Sequence, residues 1–355
     1  MPSHARKDTI PEGSDAYCHC ISRCVRRAFL CGEDSATGKD YSYRREWFRQ
    51  RLEELAGTFA IDLHGLGILE NHYHLLLHLR PDLVKTWSDE EVVCRWLALS
   101  SKRLGLVPLD EEKVKAALRS KKKVAQFRRN LSSLSRFMWY LNEPIARMAN
   151  REDKVKGRFF EERFRATRVD DLAGLLGSLV YIDLNEIRAG MAKTPEDSRY
   201  TSAFQRIQDL LLEEVIDGDP PTQEPSAAGI PPSIVRPHSG WLAPISLEGD
   251  GYDGAGEGRR ASNNGLFDFG LDRYLEILDW TGRELRADKR GSIPSHLAPI
   301  LERLRIRSNH WVELIKTLGK RFHRCIGSPD SMLAAAKSCG QRWLAGMKAA
   351  RSAFT

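Results

Sequence analysis

His72 and His74 stand one residue apart in Asn71-His72-Tyr73-His74-Leu75-Leu76-Leu77-His78. In a β-strand, successive side chains point to opposite faces. The two imidazoles therefore share a face, and Tyr73, Leu75 and Leu77 share the other. Neutral imidazoles side by side on a rigid strand make half of a divalent-metal site. His78 lies on the same face, beyond Leu76, and is read as packing. A histidine on a strand is more often structural than a ligand, so the pair needs a complement elsewhere in the chain.

A complement follows much later. Asp170 and Asp171 suit a helix N-terminus. Leu172, Leu175, Leu176 and Leu179 then recur at helical spacing and predict a buried stripe. Tyr181 and Asn185 fall nearly opposite that stripe and, four apart, share a face. Gly174, Gly177 and Ser178 precede them on it. Each such glycine weakens a helix by about 1 kcal/mol relative to alanine. Small residues there also leave room for something bulky to approach Tyr181. A buried structural tyrosine would sit on the leucine stripe; this one lies off it, where an ordinary surface tyrosine is the competing reading.

Together these pieces resemble the HUH single-tyrosine transposases, and among them the REP-associated tyrosine transposases. Besides His-hydrophobic-His and the Tyr-Ile-x-x-Asn of Tyr181–Asn185, four other segments match in order. His19-Cys20-Ile21-Ser22-Arg23 resembles the family's first strand. Gly157-Arg158-Phe159-Phe160-Glu161-Glu162-Arg163-Phe164 resembles its Gly-aromatic-Arg-Phe segment. Asn185-Glu186-Ile187-Arg188-Ala189-Gly190 resembles the exit of the nucleophile helix, with Glu186 where proline is common. Tyr200-Thr201-Ser202-Ala203 resembles the closing segment. The turn before the histidines departs from the pattern, with Leu69-Glu70-Asn71 where Met-Pro-Asn is more usual. The resemblance covers residues 15–205, apart from an insert. It implies an α+β fold of ferredoxin-like or RRM-like type, with the metal pair on a central strand of an antiparallel sheet. It also implies cleavage of single-stranded DNA at hairpin ends through a covalent 5′-phosphotyrosine.

The residues can support that chemistry. A divalent ion on His72, His74 and the amide oxygen of Asn185 would polarise and orient a phosphate, and the Tyr181 phenolate would attack it. Nitrogen and oxygen ligands suit Mg²⁺ or Mn²⁺, although the histidine pair would also accept Zn²⁺. A phenol ionises only near pH 10, so the metal and nearby cations must assist. The covalent link conserves the energy of the broken bond. Nucleotide hydrolysis is not needed, and the chain has no G-x-x-x-x-G-K-[ST] loop.

Charge agrees with a nucleic-acid substrate. The chain holds 55 Lys+Arg and 48 Asp+Glu, net +7, with pI 9.0. Residues 101–168 carry 19 basic and 8 acidic side chains, so this block alone exceeds the net charge of the whole. Candidate DNA contacts are Arg23, Arg26 and Arg27 after the first strand, then Lys121, Lys122, Lys123, Arg128, Arg129, Arg158, Arg163 and Arg165. Aromatic residues between them, such as Trp139, could stack bases, though most are read as core.

The 355 residues suffice for more than one domain. Residues 1–215 are expected to form the catalytic unit, with a basic helical insert at about 81–130. Residues 216–265 read as a Pro/Gly-rich disordered linker, holding 7 of the 16 prolines. Residues 266–355 read as a small all-helical domain that binds flanking DNA, contacts a partner or packs as an appendage. No apolar run is long enough to span a membrane, and the first residues lack the hydrophobic stretch of a signal peptide. Seven cysteines, an odd number, suit reduced thiols in a cytoplasm. The expected partner is single-stranded or hairpin DNA, bound by a monomer or homodimer. Two alternatives stay open: a catalytically silent hairpin-binding protein, and a replication initiator or relaxase of the wider HUH class.

Overall fold

The computed structural model describes residues 9–25, 31–34, 38–100, 109–217, 240–285 and 306–354. The chain opens with β1 (Ala16–Arg23), a small pair β2 (Glu33–Asp34) and β3 (Lys39–Asp40), and α1 (Arg44–Ala56). Next come β4 (Ile61–Ile68) and β5 (His72–Leu79), joined by Leu69-Glu70-Asn71. Residues 83–131 supply α2 (Leu83–Thr86), α3 (Asp89–Ser100), α4 (Glu111–Leu118) and α5 (Lys121–Leu131). Then follow α6 (Leu134–Glu152), β6 (Arg165–Val169), α7 (Leu172–Asp183), α8 (Asn185–Arg188) and α9 (Ser202–Asp217). The C-terminal stretch holds α10 (Leu271–Glu284), α11 (Ser308–Arg321), β7 (Cys325–Ile326), α12 (Pro329–Ser338) and α13 (Met347–Ala353).

The fold is α+β. Five strands form one sheet in the order β4-β5-β1-β6-β7. Its first four are antiparallel, and β7 adds in parallel to β6. Helices cover both faces, which is why β4 is buried along its full length rather than alternating with solvent. On one side Tyr73, Leu75 and Leu77 pack with Phe48 and Leu52 of α1 and Phe137 and Leu141 of α6. On the other Leu76 packs with Leu179 and Ile182 of α7 and with Trp311, Leu314 and Leu318 of α11.

The described residues from 266 onward are mainly helical, and they also lend the sheet β7 and share one apolar cluster with α7. The expectation of a disordered linker needs correction over 240–265. Trp241 and Leu242 are buried, and Ala243 N–H donates to the Leu63 carbonyl. Prolines and glycines marked the stretch as irregular, but its apolar residues reach the core. The remainder of that linker, residues 218–239, lies outside the described residues.

Candidate functional site

Period-two alternation places His72, His74 and His78 on the face of β5 that meets α7. Tyr73 turns the other way, and its hydroxyl donates to Asn142. On β1, His19 lies opposite Leu76 and Ile21 opposite His74, so His19 comes up on the same face.

The histidines form a chain of ring contacts. His72 and His74 have centroids 5.0 Å apart. His19 Nε2 and His74 Nδ1 are 2.9 Å apart, within hydrogen-bonding distance. His72 Nδ1 donates to Asn71 Oδ1 at 2.6 Å. Each histidine of the pair thus has one ring nitrogen held by a neighbour, and His74 Nε2 is buried without a partner among the described residues. This is how ligating histidines are commonly oriented, with the outer nitrogen fixed and the inner one presented. Burial also keeps them neutral. His72 is lowered to about 4, by burial first and then by Arg23. His74 is lowered well below its ordinary value by burial, then by His19 and His72. The residues therefore fit a divalent cation.

Helix α7 brings Tyr181 to this group. The side chain of Asp171 caps it by accepting from Gly174 N–H. The helix seats closely on β4, where a Cβ on Gly67 would lie 2.9 Å from the Ile182 carbonyl oxygen. Tyr181 then meets His74 edge-on at 5.5 Å between centroids and His19 at 5.9 Å. The Arg188 guanidinium lies 4.4 Å over the Tyr181 ring. Asp183 anchors the end of the helix, accepting from Ser202 Oγ, Ala203 N–H and the Tyr274 hydroxyl.

Two expectations about this helix change. It is buried on every side from Ala173 to Asp183, while Leu172, expected on its buried stripe, is exposed. The face of small residues does admit something bulky, and that is the C-terminal part of the chain itself. Gly177 lies against Leu318, Gly174 against the Ile326 carbonyl, and the Tyr181 hydroxyl against Gly319, where a Cβ would stand 2.5 Å from it. Tyr181 is consequently only 9% exposed. The helix also stops before Asn185, which opens α8 instead. Asn185 is buried, and its Nδ2 has no partner among the described residues.

The candidate DNA contacts divide. Arg26 and Arg27 lie outside the described residues. Arg23 ends β1 close enough to depress His72. Lys121, Lys122 and Lys123 are exposed at the start of α5, and Arg129, Arg158, Arg163 and Arg165 are exposed too. Arg128 is engaged internally, bonding the Val84 and Trp87 carbonyls and Asp89. Arg163 lines a surface cavity of about 630 Å³ with Arg136, Trp139 and Ser135. That cavity adjoins α6 and not the imidazoles.

Sequence reasoning passed over three groups. His19 and Arg188 sit inside matched segments but were given no role. The third is Asp62, His64 and His78, whose ligand atoms all lie within 4.8 Å of one another and which are buried. His78 was read as packing; its Nε2 bonds Asp15 at 2.7 Å.

No helix among the described residues is long and apolar enough to cross a membrane. No family model matches the chain, and no curated protein does. A solved structure of a REP-associated tyrosine transposase bound to a REP hairpin aligns with 61% of this chain and 92% of its own. The identity is 12% and the TM-score 0.31, so the likeness is a loose one.

Proposed function

We propose that this chain is a metal-dependent endonuclease and strand transferase acting on single-stranded DNA at hairpin ends, with Tyr181 as the nucleophile. The contact of Tyr181 with His74 carries the reading: it joins the two halves of the motif across more than a hundred residues of chain. A divalent ion, Mg²⁺ or Mn²⁺, held by His72, His74 and the Asn185 amide oxygen would polarise and orient the scissile phosphate. Tyr181 Oη attacks phosphorus, the DNA 3′-oxygen leaves as a hydroxyl, and the 5′-phosphate stays on the tyrosine. Arg188 over the ring offsets charge growing on the phenolic oxygen. His19 and Asn71 hold the imidazoles in place.

DNA would be held by exposed cations. Lys121, Lys122 and Lys123 support this by their position. They fill the first turn of α5, where no acidic residue accompanies them. Cations are unfavourable at that end of a helix, so an external phosphate gains from both the side chains and the helix terminus. Residues 1–215 would carry the chemistry, in a cytoplasmic monomer or homodimer.

The test uses labelled hairpin DNA with Mn²⁺ or Mg²⁺ and a denaturing gel. Wild type should give a covalent adduct, and Tyr181→Phe should give none. Tyr140→Phe should retain it, because Tyr140 packs with Phe59 and Trp96 on the opposite side of the sheet. A second reading, hairpin binding without cleavage, is favoured by the cover that Gly319 places on the Tyr181 hydroxyl. Hairpin affinity with no adduct under either metal would select it.

A further inference from the structure

The face of β5 that carries His72 and His74 carries a second cluster further along. His78 on β5 pairs across to Asp62 on β4. The register of these two strands shifts between Leu63 and Gly65, so His64 is the extra residue of a β-bulge. A bulge re-aims its side chain, and here it brings His64 in beside the other two.

The hydrogen bonds leave a consistent remainder. Asp62 Oδ2 accepts from Ser262 at 2.8 Å and from Arg80 at 3.0 Å, while Asp62 Oδ1 is buried without a partner among the described residues. His78 Nε2 bonds Asp15, leaving its Nδ1 on the side of Asp62, 3.8 Å from Oδ2. His64 is fully buried, and neither of its ring nitrogens has a partner among the described residues. Buried polar atoms are nearly always satisfied, and Asp62 Oδ1 together with the lone-pair nitrogen of His64 calls for a partner that both can reach. A cation answers both, since an ionised Asp62 carboxylate and a neutral imidazole each offer it a lone pair.

We infer that Asp62, His64 and His78 form a second metal centre, separate from His72 and His74, that takes a zinc-class dication. Two imidazoles and one carboxylate suit Zn²⁺ or Co²⁺ better than Mg²⁺, which prefers oxygen ligands and retains its water. The outer atoms are arranged as such sites require: a carboxylate on the far nitrogen of His78, and a hydroxyl and guanidinium on the far oxygen of Asp62. Arg80 and Arg206, whose guanidinium bonds the His64 carbonyl, oppose a cation here. The carboxylates of Asp15, Asp62 and Asp82 offset them. The ion would be structural. Through Ser262 and Arg80 it would fasten the 240–265 segment to the bulged strand.

Metal content of the full chain tests this. Protein stripped with chelator is reloaded with Zn²⁺, dialysed and assayed by mass spectrometry for bound metal. His72→Ala/His74→Ala should keep about one equivalent, and His64→Leu on that background should bind none. Co²⁺ in the double variant should give visible d–d absorption that Zn²⁺ bleaches, a readout that does not depend on the His64 variant folding. Absence of both zinc and the cobalt band in the double variant overturns the proposal, as does zinc retained by the folded triple variant that adds His64→Leu. Adduct formation bears only on His72, His74 and Tyr181, so the two sites fail separately.

Discussion

His19 and His72 are both lowered to about 4, by burial before any other cause. In the unfolded chain a histidine titrates near 6.5. Between those values these histidines bind more protons in the unfolded chain than in the folded one, so their contribution to stability rises with pH across the window, against the opposite slope of Glu186, which burial raises to about 7. In a Glu186→Gln background, thermal midpoints measured in chelator from pH 4 to 7 should climb and then level off. His19→Gln should flatten part of that climb; a midpoint that falls over the same range would contradict neutral burial. These residues also mark how far the sequence could be read. Alternation in a strand is local, so His72, His74 and the opposing Tyr73 could be assigned from spacing alone. Asp62-Leu63-His64 has the same spacing and was passed over. Its convergence with His78 depends on strand pairing and on a bulge, which no local period encodes.

Helix α7 shows the same limit one level up. Its existence and its acidic cap were legible, because Leu175, Leu176 and Leu179 recur at helical spacing and Asp171 precedes them. Its surroundings were not. The small face looked open because what fills it, Leu318 and Gly319, comes from far along the chain. On the sheet side the seat is equally close. Gly67→Ala would drive a methyl group toward the Ile182 carbonyl, at a cost of about 1–3 kcal/mol typical of overpacking. Urea denaturation should show that loss. Adduct yield should fall as well, because the helix carries Tyr181 with it. Unchanged stability would mean that β4 and α7 can separate without strain.

For the whole molecule, charge and the C-terminal stretch make two predictions. Replacing Lys121, Lys122 and Lys123 with alanine should weaken binding to all single-stranded sequences. If all three touch phosphate, the slope of log affinity against log salt should fall by about 2. An unchanged slope would place the DNA elsewhere. Removing residues from 266 onward should uncover the apolar side of α7, since Trp311, Leu314 and Leu318 share its core. A 1–265 fragment is expected to bind the dye ANS and to lose a sharp thermal transition; a cooperative fragment would show that the shared core is dispensable. The placement of Gly319 has a mechanical consequence. A phosphoryl group joined to Tyr181 would crowd α11, since not even a methyl group fits between the hydroxyl and Gly319. On the proposed mechanism, forming the covalent bond would turn the ring or lift α11, and the adduct would behave as a strained, spring-loaded state. Religation would release that strain, so the return of the C-terminal helices to rest could help drive the second half of the reaction.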